Sequence, residues 1–372
     1  MTNLEMFYFV GRCLSIDEHP EFREVILQKI SDDEIEWAQF VSLCSSHLVL
    51  PVIYLKFKSH QLIEHLPEEL AEFLKEIYDL NFARNEQILL QINDILKLLN
   101  ANEIYPTFLK GTGNLLDGLY SDKGERMIGD IDFLVLEEDY LKAARLLEED
   151  GYAMVNKFKG DVLKEKHYPR LFKTDVLADV EVHHLLVPHQ YASMFNPEMI
   201  YTKNISLDGD NYCLVLEDEH KVILNFIHSQ LANNGHVHGI ISLRDIYDLY
   251  LIAKRIELLS FINKIPFKRK AISYFVFSGN ALNLPKLFYS QRTISSKILI
   301  IRHSLNYTFP VFYKIYPIIV FLLRRILKVY LKLFLQAIYS KEIRHSVVYR
   351  ITKRQWYSDH FKFYRNYFKI NL

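Results

Sequence analysis

The stretch Gly129-Asp130-Ile131-Asp132-Phe133-Leu134-Val135 constrains this chain more than any other. Two carboxylates stand two residues apart at the head of an apolar run. Side chains alternate faces along a strand, so Asp130 and Asp132 project to one side and Ile131, Phe133 and Val135 to the other. The chain therefore needs a sheet with a core on one face and a setting that tolerates adjacent acids on the other. A divalent cation provides that setting, because Mg²⁺ is held by one or two carboxylates together with substrate phosphates. A solvated strand end carrying two aspartates also provides it, and the pair alone does not separate the two.

The segment upstream shifts the balance. Leu109-Lys110-Gly111-Thr112-Gly113 follows a β-like run from Ile104 to Leu109. It precedes Leu115, Leu116, Leu119 and Tyr120, which fall at helical spacing. Glycines where a strand turns into a helix let backbone amides approach a phosphate, and the helix dipole adds to the attraction. Lys110 places a mobile cation beside that turn. The stretch lacks the Gly-x-x-x-x-Gly-Lys-Ser/Thr of a P-loop, and it lacks the third glycine and later acid of a dinucleotide site. Arg126, four residues before Asp130, is placed to meet a phosphate or to orient a carboxylate; an internal salt bridge is the other reading.

A third acid lies further on. The segment from Ala178 to Val187 reads as a strand, with polar and apolar residues alternating through Asp179, Glu181 and His183. Beside the Asp130 strand, Glu181 would complete a three-carboxylate set. The polar face of a half-exposed strand is the alternative.

These residues, taken in order, resemble a family. The series Leu109-Lys110-Gly111, Leu119-Tyr120, Arg126, Asp130 to Val135, Gly151-Tyr152, Glu181-Val182-His183, His228 and Leu243-Arg244-Asp245-Ile246 is similar to the uncharacterised nucleotidyltransferases of the DNA polymerase β-like superfamily. The resemblance spans roughly residues 80–255. It implies an α/β (α+β) fold, a polymerase β-like mixed sheet flanked by helices. It implies Mg²⁺ or Mn²⁺ held by Asp130, Asp132 and Glu181, as catalytic and metal residues alike. Phosphate contact is implied at Lys110, Gly111, Thr112 and Gly113, with Arg126 beside them, and substrate contact at His183, His228 and Arg244. The superfamily's Gly-Ser appears here as Gly111-Thr112. The implied reaction is attack of an acceptor on the α-phosphate of an NTP, with release of pyrophosphate. The acceptor is open among a sugar, a small metabolite, a peptide and a protein side chain. Asp→Asn at 130 or 132 is expected to abolish transfer, leave the fold intact and relieve mutual repulsion.

Helical patterning flanks the proposed sheet. Ser31-Asp32-Asp33-Glu34 has the spacing of a capping box ahead of Trp37 and Phe40. Pro67 suits a first helical turn. Ile88, Ile92, Ile95, Leu96 and Leu99 share one helical face and predict core. Within the middle region Glu137-Glu138-Asp139 starts a helix with Leu141, Ala144 and Leu147 inward, ended by Asp150-Gly151. Tyr152–Phe158 and Tyr168–Lys173 read as strands. Val222, Ile223, Phe226, Ile227 and Leu231 then mark a buried helix face. The expected divisions are a helical region over 1–100, the nucleotidyltransferase core over 101–215, a helical region over 216–291 and a basic, aromatic-rich helical tail over 292–372.

Composition bounds the surroundings. Cys13, Cys44 and Cys213 are odd in number and widely spaced, which points to a reducing compartment with neither disulfide framework nor zinc pair. The start of the chain does not read as a signal peptide, and a cytoplasmic location is expected. Lys+Arg and Asp+Glu are equal at 45 each, yet 16 of the basic residues follow Arg292, inclusive, against only Glu342 and Asp359. The tail is therefore +14 and residues 1–291 are −14. Within it, Tyr307–Leu335 is apolar but interrupted by Pro310, Lys314, Pro317 and Arg324-Arg325. The run Ile318–Leu323 falls far short of the ~20 residues that span a bilayer, so no transmembrane segment is expected. Tyr307–Leu335 is expected to be helical and to pack its apolar side on the helical part of residues 1–100 or 217–255; lying on an anionic membrane is the alternative. Trp356-Tyr357 and Phe361–Phe368 interleave aromatics with Lys and Arg, but no recognised nucleic-acid module accompanies them and nucleic acid is not an expected partner. Two rivals to the enzyme remain: an inactive descendant of the fold that binds a nucleotide or partner, and a peripheral membrane or assembly protein acting through the tail.

Overall fold

Helices come first. In the computed structural model α1 (Asn3–Leu14) starts at Thr2, whose hydroxyl accepts from the Glu5 amide while the Glu5 carboxylate accepts from the Thr2 amide. That reciprocal pairing satisfies amides that a helix start leaves open. There follow α2 (Glu21–Ser31), α3 (Trp37–Ser46), α4 (Leu50–Ser59) and α5 (Glu68–Asn100), the last directly after Pro67. The structure describes all residues except 157–159, 194–201, 209–210, 326, 328–330, 354, 356–357 and 359–372.

No capping box forms at Ser31–Glu34. Ser31 is the last residue of α2, which buries Phe22 and Ile26. The Asp33 amide donates to the Ile30 carbonyl and the Glu34 amide to the Lys29 carbonyl, with Asp33 at φ 54°. Those are the two bonds that close a helix around a left-handed residue, so the polar cluster ends one helix rather than starting the next. The start of α3 is instead capped by Glu36, whose carboxylate accepts from the Ala38 amide at 3.1 Å.

The middle of the chain alternates strand and helix. In order come β1 (Thr107–Phe108), α6 (Lys110–Leu116), β2 (Asp130–Leu134), α7 (Tyr140–Glu149), β3 (Ala153–Met154), β4 (Leu171–Phe172), β5 (Asp179–His183), α8 (His189–Ala192), β6 (Thr202–Asp208) and β7 (Asn211–Leu216). The strands form one mixed sheet in the order β3-β4-β5-β2-β1-β7-β6, with β2 parallel to β5 and antiparallel to β1. The architecture is the mixed α/β sheet with helical additions that the sequence implied.

Several elements are shorter than expected. Ile104–Leu109 contributes only Thr107 and Phe108, because Pro106 has no amide to give to a ladder. Tyr168–Lys173 is strand only at Leu171–Phe172, and Tyr152–Phe158 only at Ala153–Met154, with Phe158 outside the described residues. A 3₁₀ turn at Glu137–Asp139 resets the phase of α7. Tyr140 and Ala143 therefore join Ala144 and Leu147 inside, while Leu141 is 43% exposed.

One face of the sheet is core. Ile88, Ile92, Ile95, Leu96 and Leu99 of α5 pack with Ile131, Phe133, Val180, Val182 and Val215, none more than 2% exposed. Each such side chain contributes roughly 1.5–3 kcal/mol by leaving water. The same helix carries buried polar residues. Asn81 Nδ2 donates to the Gly124 carbonyl, and Asn85 Nδ2 donates to the carbonyls of Lys123 and Arg126. Gln91 donates to the Ala178 carbonyl and accepts from the Ala178 amide. Thus α5 pins the backbone shortly before β2 and immediately before β5.

Beyond β7 the chain is helical again. α9 (Asp218–Phe226) runs into a π-helical turn, Ile227–Ala232, followed by α10 (Gly235–His238), α11 (Leu243–Ala253), α12 (Leu258–Phe261), α13 (Lys268–Ala281) and α14 (Ile294–Thr308). Val222, Ile223, Phe226, Ile227 and Leu231 are buried as their spacing predicts. A side chain at Gly11 of α1 would meet the Ala281 carbonyl oxygen at 2.1 Å, so the first helix and the end of α13 touch backbone to backbone. The chain divides into two compact units, residues 1–301 and 302–372. In the second lie α15 (Pro310–Arg325), α16 (Lys332–Tyr339) and α17 (Lys341–Thr352). Trp356, Tyr357 and Phe361–Phe368 lie outside the described residues. Among the described residues no helix is long and apolar enough to cross a membrane.

Candidate active site

Parallel pairing of β2 with β5 builds the site. Asp130 stands opposite Asp179, Asp132 opposite Glu181 and Leu134 opposite His183. With both strands in register, the faces that avoid the core coincide. Asp132, Glu181 and His183 are all buried, and one ligand atom from each lies within 4.8 Å of the others. His183 Nε2 is 2.8 Å from Asp132 Oδ1 and 3.5 Å from Glu181 Oε2.

Cations close in from two sides. Lys110, first residue of α6, donates from Nζ to Asp132 Oδ1 at 2.6 Å. It does so from a backbone at φ 51°, a conformation that costs a non-glycine residue on the order of 1 kcal/mol or more and tends to persist at functional sites. From the other side, Arg170 Nη2 donates to Glu181 Oε1 at 2.7 Å and to Asp130 Oδ2 at 2.9 Å. β4 runs antiparallel to β5 with Leu171 opposite Val180, so the register sets Arg170 beside Glu181. Asp130 thus shares an arginine with Glu181 but is the most exposed of the three acids, its side chain 30% accessible.

Those contacts divide the acids electrostatically. Burial would raise the Asp132 carboxyl, but the Lys110 charge and the His183 hydrogen bond hold it well below the ordinary range. Burial and the Asp132 charge raise Asp130, against the pull of Lys110 and Arg170. Glu181 is also opposed by burial and by Asp132, yet hydrogen bonds from His183 and Arg170 and the nearby His167 bring it down to about 2. Lys166 is lowered by burial and by repulsion from Lys110, although Glu181, Asp132 and Asp130 attract it. His228 is pushed down to about 3 by burial and by Lys110 and Lys166, so it is neutral.

Thr112 is buried and gives its hydroxyl to the Asp130 carbonyl at 3.0 Å. A side chain at Gly113 would meet the Phe108 carbonyl oxygen at 2.4 Å, and one at Gly111 would meet Ile128 and Arg126. These positions let α6 lie close against its neighbours. Arg126 realises the salt-bridge reading: its Nε and Nη2 both donate to Asp248 of α11, at 3.0 and 2.9 Å. His228 and Arg244 line a cavity of about 60 Å³ whose wall also includes Lys110, Arg126 and Asp248. Arg244 Nε is 3.8 Å from Asp245 Oδ1, too far for a hydrogen bond. His183 is wholly buried among the acids.

Sequence reasoning missed Arg170, His167 and Lys166. A signal existed, because Lys166-His167-Tyr168-Pro169-Arg170 packs three cationic or titratable groups just before a strand. Only the sheet order reveals that this segment edges the acid strand.

The donor set fits a divalent cation. Two carboxylates suit Mg²⁺ or Mn²⁺, while an imidazole ligand favours a transition metal. His183 Nδ1 faces the Leu185 carbonyl at 3.4 Å, an orientation that turns Nε2 toward the acids. The tightest set is thus Asp132, Glu181 and His183, with Asp130 adjoining through Arg170. His236 and His238 enter no such group among the described residues.

Comparison with known proteins follows the same line. A family described as uncharacterised nucleotidyltransferase matches residues 33–288. A similar solved structure is an antigenic nucleotidyltransferase-like protein from Paracoccidioides brasiliensis, 15% identical with a TM-score of 0.37, covering 54% of this chain and 93% of that one. No curated protein matches the chain.

Proposed function

Since the chain belongs to the uncharacterised nucleotidyltransferase family, whose general role is nucleotidyl transfer, we propose that it moves NMP from an NTP to an acceptor and releases pyrophosphate at the Asp130–Asp132–Glu181 cluster. The observation that carries this reading is the β2–β5 register, which sets Asp132 against Glu181 with Lys110 closing the same oxygen.

Asp132, Glu181 and His183 would hold a divalent cation, with Asp130 adjoining. Such a cation supplies charge neutralisation at the phosphate and activation of the attacking oxygen. Lys110, already bonded to Asp132, and Lys166 would meet the triphosphate at this cluster, while Arg126 pairs with Asp248 and Thr112 bonds the Asp130 carbonyl. Arg170 orients Asp130 and Glu181 by bonding both. The low pKa of Glu181 makes it a weak base, so its part is to hold charge rather than to take the acceptor proton. Arg244 and neutral His228, which line the cavity beside Lys110, would contact nucleotide or acceptor there.

The test is incubation with each labelled NTP and Mg²⁺ or Mn²⁺, followed by mass spectrometry of the protein and of added sugars, metabolites and peptides. A mass increment of one NMP that is absent with Asp132→Asn supports the reading. Equal turnover by wild type and Asp132→Asn would overturn it.

A further inference from the structure

The second compact unit carries an exposed apolar stripe on each of two helices. Along α15, Val311, Ile315, Ile319, Leu322 and Leu323 recur at i, i+4, i+8, i+11 and i+12, the spacing of one helical face. Their exposure runs from 36% at Leu322 to 65% at Val311. At the start of α16 and along it, Leu331, Phe334, Leu335 and Ile338 continue the pattern at 49% to 62% exposed, Leu331 being the residue just before the helix. Solvent-facing apolar residues occur singly on any protein, but a contiguous stripe at helical spacing marks a surface that meets something apolar.

Charge identifies the partner. Removing Arg292 and Lys297 from the 16 basic residues that begin at Arg292 leaves 14 in residues 302–372, against Glu342 and Asp359, a net +12. We propose that α15 and α16 lie on the surface of an anionic lipid bilayer, apolar stripe in the acyl boundary and Lys and Arg at the headgroups. An interfacial helix combines these two features, a large apolar face and basic flanks without enough length to span. Among the described residues neither α15, with 16 residues, nor α16, with 8, is long and apolar enough to cross. A second copy of the chain suits the stripe less well, since it would bring two +12 segments together. Nucleic acid would take the charge but leave the Leu, Ile and Phe side chains in water.

Flotation of the full chain with phosphatidylcholine vesicles, with and without phosphatidylserine, tests this. Binding is expected only where phosphatidylserine is present, and it should weaken as salt rises. Ile319→Glu with Leu335→Glu should lower the bound fraction even at low salt. Lys332→Glu with Lys341→Glu should weaken binding to phosphatidylserine vesicles by roughly tenfold or more. Far-UV circular dichroism and thermal melting of each full-length variant, compared with wild type, check that it is folded. Failure of the full chain to float with phosphatidylserine vesicles overturns the proposal. So does equal flotation of the Ile319→Glu/Leu335→Glu variant. A dimer in sedimentation analysis that this variant disperses would assign the stripe to a second copy instead.

Discussion

Asp132 is held by more partners than its neighbour, and that difference separates the two aspartates in a testable way. Lys110 and His183 both reach its Oδ1. Asp132→Asn therefore leaves a partly buried ammonium short of its counter-charge, which offsets any relief of repulsion. In EDTA this variant should melt below wild type, whereas Asp130→Asn should melt at or above it, because the fold disfavours the charged form of Asp130. Both should lose transfer by roughly 10²-fold or more, in line with removal of a preorganised electrostatic group. Differential scanning fluorimetry and the labelled-NTP assay read the two effects separately. Glu181 adds a pH signature. Its carboxyl is brought from 4.5 to about 2 on folding, so the unfolded chain takes up the proton first as pH falls. The stability it contributes is complete above about 4.5 and is lost as pH drops toward 2. Urea midpoints measured in EDTA between these values should fall less steeply for Glu181→Gln than for wild type. An unchanged slope would count against the ionised, hydrogen-bonded carboxylate.

The helix α5 is both the back wall of the sheet and the clamp on its acid strands. Its apolar stripe was legible, because 3.6-residue periodicity survives any tertiary detail. Its polar residues read only as breaks in the stripe, yet Asn81 and Asn85 hold the backbone shortly before β2 and Gln91 holds the residue before β5. Asn85→Ala should cost about 1–3 kcal/mol in urea unfolding, since the carbonyls of Lys123 and Arg126 lose their donor. It should also lower transfer by loosening the approach to Asp130. The link from Arg126 to α11 is of the same kind. Asp248→Asn leaves a buried guanidinium without its charge partner and should destabilise by about 3–5 kcal/mol. A variant of either kind that unfolds like wild type would remove that residue from the clamp. Nothing in the spacing of Arg126 and Asp248 announces a pair, because 122 residues separate them.

Across the whole molecule the cysteines and the charge distribution are the informative features. Cys13, Cys44 and Cys213 are buried as free thiols. Burial pushes the Cys213 thiol up to about 12 and raises Cys13 and Cys44 further. A colorimetric thiol reagent should find essentially none in the native protein and all three after denaturation. Fast labelling of the native chain would contradict this packing. Net charge was legible to the residue, +12 over 302–372 and so −12 over 1–301. What the charge faces was not legible, because the packing alternative and the membrane alternative require the same amphipathic helix. Vesicle flotation of the full chain is the measurement that separates the two.

The sequence by itself determined which segments are strands near the acids, which face of each is apolar, and that Asp130 and Asp132 share a side. Those properties follow from alternation and periodicity, which are local. Tertiary structure alone decided that β5 lies parallel beside β2, and so that Glu181 meets Asp132. It decided that His183 joins the acids, that Arg170 arrives from just before β4, and that Arg126 meets Asp248 and Thr112 the Asp130 carbonyl. Each of those facts is a contact between residues distant along the chain. Such contacts depend on strand order and register, and no single segment encodes either.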